Sequence, residues 1–309
     1  MYKIGNYNVD YITTAFISEG WTDLLMCDAI NLKGASGTSL VSVRERTAHK
    51  TGTKVRYDFA FIPNMAFLAN PDPLLKNCEL KLSFDRSDPS VAVLKTDDSA
   101  SVTDISIEDC FAVTEYISSE DLREYFERID NEPILYKYED MEVLVKTCPY
   151  NQTDIRFDNL RGGNTPTHMF AGLVKTAALN GDTSLCSTKF CHYDVEEMNF
   201  TLNGSPVNGY PLTLKNGSPV FPMQKFIDAT SRTCNITSSK FFNANEFKFN
   251  WIYAHHFEAE LSAQGWLGVN FKLSEPFEES DGSMSIVIWL ICSSALKIDK
   301  FHQVEKLNL

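Results

Sequence analysis

A chain of 309 residues with 43% hydrophobic content holds enough apolar material for one large or two medium domains, each with its own core. Its formal net charge of −13 repels phosphate backbones and no long Lys/Arg run offsets it, so direct nucleic-acid binding is not expected. No apolar run approaches the roughly 20 residues that span a bilayer, and Met1 is not followed by a basic, apolar leader. The expectation is a protein made in the cytosol and not secreted, with its eight scattered cysteines reduced. On that route the Asn-x-Ser/Thr matches at Asn151, Asn199, Asn203, Asn216 and Asn235 are chance matches.

Residues 1–53 show only short apolar stretches and a Gly/Ser segment at Gly34–Ser39. From Lys54 the pattern sharpens. In KVRYDFAFI (54–62), Val55, Tyr57, Phe59 and Phe61 alternate with Lys54, Arg56 and Asp58, the period of a strand with one buried face. After a loop punctuated by Pro63, Pro71 and Pro73, CELKLSF (78–84) alternates again, and the polar stretch Lys95–Thr103 reads as a linker. IEDCFAVTEYI (107–117) reads as a strand. Ser118 or Ser119 can then cap a helix in which Leu122, Tyr125, Phe126 and Ile129 recur at helical spacing until Pro133 stops it. Further strands are predicted at 138–148, 154–160, 168–179, 194–204 and 246–261, separated by loops rich in Asn, Gly, Ser and Pro.

Residues 265–299, GWLGVNFKLSEPFEESDGSMSIVIWLICSSALKID, read as a hairpin around an acidic turn. In its first strand Leu267, Val269, Phe271 and Leu273 alternate with Trp266, Gly268, Asn270 and Lys272. In its second, Ile286–Cys292, the alternation vanishes, and a strand apolar on both sides needs cover on both faces. About eight strands with one short helix give an all-β fold class, a β-sandwich of jelly-roll type.

Catalytic chemistry is hard to place on this chain. Gly34–Gly37 and Arg161–Asn164 are turn material rather than phosphate cradles, and no G-x-S-x-G elbow occurs. His255 and His256 are neighbours on a strand, so they point to opposite faces and cannot share an ion. His256, Glu258 and Glu260 would share a face, but the His-x-His from which cupin-type metal sites start is missing; a solvated polar face is the expectation. Cys186, Cys191 and His192 lack the second half of a zinc motif. Glu196 and Glu197, like Glu278 and Glu279, are adjacent rather than opposed and make poor acid/base pairs. Trp251, Trp266 and Trp289 are expected as core or interface anchors rather than a carbohydrate platform. No catalytic, cofactor-binding or metal residue is assigned, and no enzyme activity is expected.

Several stretches together resemble the double jelly-roll major capsid proteins of Polinton/Maverick elements and the related adintoviruses. Residues 265–299 resemble that family's ending, a Gly-led alternating strand, a turn, and a β-branched strand running to an Ile-Asp pair. KFCHYDVEEMNFTLNGSPV (189–207) resembles its Phe-x-x-Tyr stretch followed by a strand and an Asn-Gly hairpin. Residues 55–88 resemble the passage closing its first barrel, and helix 119–129, EVLVKTC and HMFAGLVKTAAL fall in the order that opens the second. The likeness covers roughly residues 50–305. It implies closing strands of a first jelly roll, or a remnant of it, in 1–95 and a second jelly roll, the C-terminal barrel, in 105–305. It also implies a structural protein of the virion, assembled in host cytoplasm or nucleus. Its partners would be a homotrimer, neighbouring capsomers and a minor capsid or penton protein. The family carries most of a first barrel before the position of Lys54, whereas about fifty residues precede it here. A single jelly-roll minor capsid (penton-like) protein or another oligomeric β-sandwich module is the alternative, and a cupin-like metal enzyme a more distant one. On the capsid reading, the second cover of Ile286–Cys292 is expected from a neighbouring barrel or subunit.

Overall fold

The computed structural model describes residues 47–51, 54–58, 106, 127, 132–182, 184, 185, 190–207, 212–214, 218–234, 247, 251–257, 264–299, 301 and 303–308. Strands β1 (Thr47–Thr51) and β2 (Lys54–Asp58) pair antiparallel as a two-stranded sheet of their own. The remaining strands are β3 (Ile134–Thr147), β4 (Asp154–Asn164), β5 (His168–Lys175), β6 (Val195–Leu202), β7 (Ser205–Pro206), β8 (Leu212–Thr213), β9 (Ile252–His256), β10 (Gln264–Leu273), β11 (Met284–Ile298) and β12 (Val304–Asn308). The strands expected at 78–84 and 107–117 lie outside the described residues; of the helix expected at 119–129 only Glu127 is described, and it is helical.

Two antiparallel sheets face each other. In the first, β11 lies between β3 on one side and β5 followed by β12 on the other, and β9 pairs with β5. In the second the order is β4, β10, β6, with β7 and β8 on the remaining edge of β6 as one interrupted strand. Counted along the chain from β3, with β7/β8 as one strand, the first sheet runs first–eighth–third–sixth. The second runs second–seventh–fourth–fifth. Apart from the fourth and fifth, which pair with each other, successive strands thus alternate between sheets, and pairing joins strands distant in sequence. The fold is a jelly roll.

This topology corrects one expectation directly. β10 and β11 are not a hairpin: β10 pairs with β4 and β6, and β11 with β3, β5 and β12. The acidic connection at 274–283 carries the chain from one sheet to the other, a gap of about 10 Å that a tight turn cannot cross.

The core between the sheets is made by alternation. Leu267, Val269, Phe271 and Leu273 of β10 stand beside Leu202, Phe200, Met198 and Val195 of β6, and the four β10 residues are buried. They face Met169, Ala171 and Leu173 of β5 and Ile286, Ile288 and Leu290 of β11, with Phe200 meeting His255 of β9 across the gap.

The other face of the first sheet is closed by the chain itself. Helix α1 (Thr176–Leu179) turns the chain away after β5, where sequence alone extended the strand to 179. Helix α2 (Val220–Cys234) occupies a stretch read as loop, so the roll carries a helix beyond the one expected. Its signal is present: Pro222, Phe226 and Ala229 are buried at spacings of four and three, and Pro222 sits in the first turn, where its missing N–H costs nothing. Phe226 meets Phe170 edge-on at 6.0 Å, and Phe190 meets Trp289 edge-on at 5.3 Å. Trp289 is 1% exposed, so the second cover expected from another barrel or subunit is supplied within one chain. The strand predicted at 246–261 is correspondingly shorter: Phe247 is helical and packs on Phe226 and Trp251, and β9 begins only at Ile252.

Candidate functional site

The alternation of β9 sends His255 and His256 to opposite faces. His255 points into the core between Phe200 and Phe257, and burial, with smaller contributions from Lys225 and His256, pushes its pKa down to about 4. His256 stands directly across from His168 on β5, which no local pattern had singled out. His256 Nδ1 and His168 Nε2 are 2.8 Å apart, and His168 Nδ1 lies 3.1 Å from the Thr167 hydroxyl. That hydroxyl donates to the Ile291 carbonyl at 3.0 Å, so it accepts from His168 Nδ1–H, and His168 Nε2 in turn accepts from His256. The relay ties β9 through β5 to β11. Glu258 and Glu260 lie outside the described residues, and among those described no three His, Cys, Asp or Glu side chains converge to hold a metal ion.

Cys186 is outside the described residues; Cys191 and His192 form a clasp. Cys191 bridges to Leu173, its amide donating to the Leu173 carbonyl, and Trp251 N–H donates to the Phe190 carbonyl at 2.9 Å. His192 packs edge-on to Trp251 at 4.3 Å, and burial lowers its pKa. The segment therefore holds Phe190 over Trp289. Cys148, Cys191 and Cys292 are free thiols; burial pushes Cys148 up to about 12, and Cys292 Sγ accepts from Arg161, whose Nε pairs with Glu142 at 3.0 Å. Glu278 and Glu279 sit at an exposed turn where Glu278 accepts from the Ser280 hydroxyl.

The three tryptophans divide. Trp251 and Trp289 are core residues, whereas Trp266 is 55% exposed on the open face of the second sheet. That face is a polar ladder across three strands. Asn270 lies between Arg156 and Asn199, and Lys272 between Asp154 and Glu197. Arg156 binds Asp154 through both its Nε (3.1 Å) and an Nη (2.7 Å), which lowers the Asp154 pKa. Lys272 reaches Glu196 at 3.7 Å. A depression of about 210 Å³ lies over Asp154, Arg156, Asn199, Asn270 and Lys272, and the Oδ1 atoms of both asparagines are buried without a hydrogen-bond partner. Sequence reading places Asn270 and Lys272 on the wet side of a strand and Asn199 in a chance Asn-x-Ser/Thr match, and does not bring them together.

No family model matches the chain, and no curated protein matches it. Among solved structures the chain is similar to a chain of the PBCV-1 virus capsid, at 11% identity and a TM-score of 0.35 over 60% of this chain and 55% of that one. It is also similar to the mavirus major capsid protein, at 7% identity and a TM-score of 0.33 over 57% of this chain and 42% of that one. The match thus spans about half the length of each of those proteins.

Proposed function

We propose that the chain is a structural subunit of a viral or virus-like shell, a double jelly-roll major capsid protein of the Polinton/Maverick and adintovirus kind. It acts without enzymatic activity and works in the virion as a trimeric capsomer beside other capsomers and a minor capsid protein. The observation that carries this reading is where the sequence resemblance falls on the fold. Residues 265–299 supply β10 and β11, the central strands of the two sheets, and 189–207 supply Phe190, β6 and β7. On this reading residues 105–305 are the second roll and 1–95 belong to the end of a first. Trimer contacts do not use the outer face of the first sheet where Phe190 covers Trp289 of β11 and α2 covers Phe170 of β5. They use exposed apolar side chains such as Leu135 and Val145 of β3 and Phe301 and Val304 beside the β11–β12 turn.

Light scattering and electron microscopy on the purified chain test this. The expected result is a trimer that packs into hexagonal arrays, with Phe301→Glu weakening assembly while leaving the melting temperature unchanged. A chain that stays monomeric at every concentration would overturn the trimer. Stoichiometric iron, zinc or manganese by mass spectrometry would point instead to a cupin-like enzyme. Five-fold rather than three-fold assemblies would favour the single-roll, penton-like reading, which the single roll among the described residues also fits.

A further inference from the structure

We propose that the open face of the second sheet binds a neutral oligosaccharide, with Trp266 as its stacking platform and the Asn199/Asn270 pair as its hydrogen-bonding anchor. The indole is held in place. Its six-membered ring lies on Gly162, where an added Cβ would come within 2.9 Å of Cζ3, and Asn203 holds both the amide and the carbonyl of the Trp266 backbone. The Trp266 amide donates to Asn203 Oδ1 at 2.9 Å, and the Asn203 amide donates to the Trp266 carbonyl at 2.8 Å. With one ring face resting on backbone and the residue 55% exposed, a rigid apolar surface is turned to solvent. Such a surface suits the C–H face of a pyranose and loses little side-chain entropy on binding.

The chemistry of the rest of the face selects the ligand class. Arg156 answers Asp154 and Lys272 answers Glu196, while the Glu197 carboxylate beside them adds negative charge, so an anionic ligand finds repulsion rather than unspent attraction. What remains unspent is the carboxamide pair, whose two oxygens meet no donor from the chain. A half-turn of the terminal torsion exchanges the oxygen and nitrogen of either carboxamide, and a sugar hydroxyl, donor and acceptor at once, serves either orientation. Trp266 and Asn270 are on the same side of β10, four residues and roughly 13 Å apart, a span of about two or three hexose rings. A protein partner would want contiguous apolar surface at its centre, and here a single Trp is flanked by polar side chains.

The test presents the intact chain to a panel of neutral, sialylated and sulfated oligosaccharides of two to four rings, then titrates the best-retained neutral sugar by calorimetry. At least one neutral sugar is expected to bind. Trp266→Ala should lose about tenfold or more in affinity, Trp266→Phe less, and Asn270→Ala a few-fold, with melting temperatures unchanged. Retention of charged sugars alone, of no sugar, or binding that Trp266→Ala leaves intact would overturn the proposal. So would a Trp266→Ala chain that loses self-association instead of sugar binding, because the face would then join copies of this chain.

Discussion

The two sheets present equally apolar inward rows, yet one is covered on both faces and the other on one. In the first, every residue of β11 from Met284 to Ile291 is buried, and so is β5 from His168 to Val174. In the second, β10 and β6 turn Trp266, Lys272 and Glu196 to solvent, and of their outward residues Gly268 and Thr201, which face each other, are buried. The cause is the connections: the segments holding Phe190 and α2 return over the first sheet and nothing described returns over the second. Burying each large aromatic contributes about 2–3 kcal/mol, so the covered sheet is the stable wall, and the open one is free to carry recognition.

That contrast can be broken by force at the covered sheet. Ile288→Asp places an unpaired carboxylate at a 0% exposed position facing the core and should cost about 5 kcal/mol or more, abolishing the folded state. A cooperative thermal melt for this variant near that of the parent would contradict the burial of Ile288 between the sheets.

Acid should act on the same sheet through His255. Burial holds its folded pKa at about 4 against 6.5 unfolded, so below pH 6.5 the unfolded chain gains a proton that the folded one refuses. Stability is intact above that pH, declines as pH falls from 6.5 towards 4 and levels off below, a loss of about 3 kcal/mol from this group. Urea melts across that window should show the decline, and His255→Gln should flatten it; an unchanged slope would remove His255 as the cause.

Gly172→Ala sharpens the assignment of the cover. The added Cβ would stand 2.6 Å from Phe190 Cδ1, which must shift off Trp289, at a cost of about 1–3 kcal/mol. No loss of stability would mean that Phe190 is not seated there. At the open face, Lys272→Ala breaks only a 3.7 Å pair between exposed side chains and should change stability by about 0.5 kcal/mol or less. A larger loss would show that the second sheet, too, is covered.

The sequence by itself determined which residues each strand buries. The alternation of Leu267 to Leu273, the unbroken apolar run Ile286–Cys292 and the opposed directions of His255 and His256 all follow from the two-residue period of a strand, a local property. It could say that β11 needed two covers but not what they were, because cover is a matter of which distant segment returns. Only tertiary structure separated β10 from β11 into different sheets, laid Phe190 over Trp289 and α2 over Phe170, and brought His168 to His256 across 88 residues. Periodicity fixes a strand's faces; its neighbours are chosen by packing across the whole chain, and that choice leaves no mark within any short window of sequence.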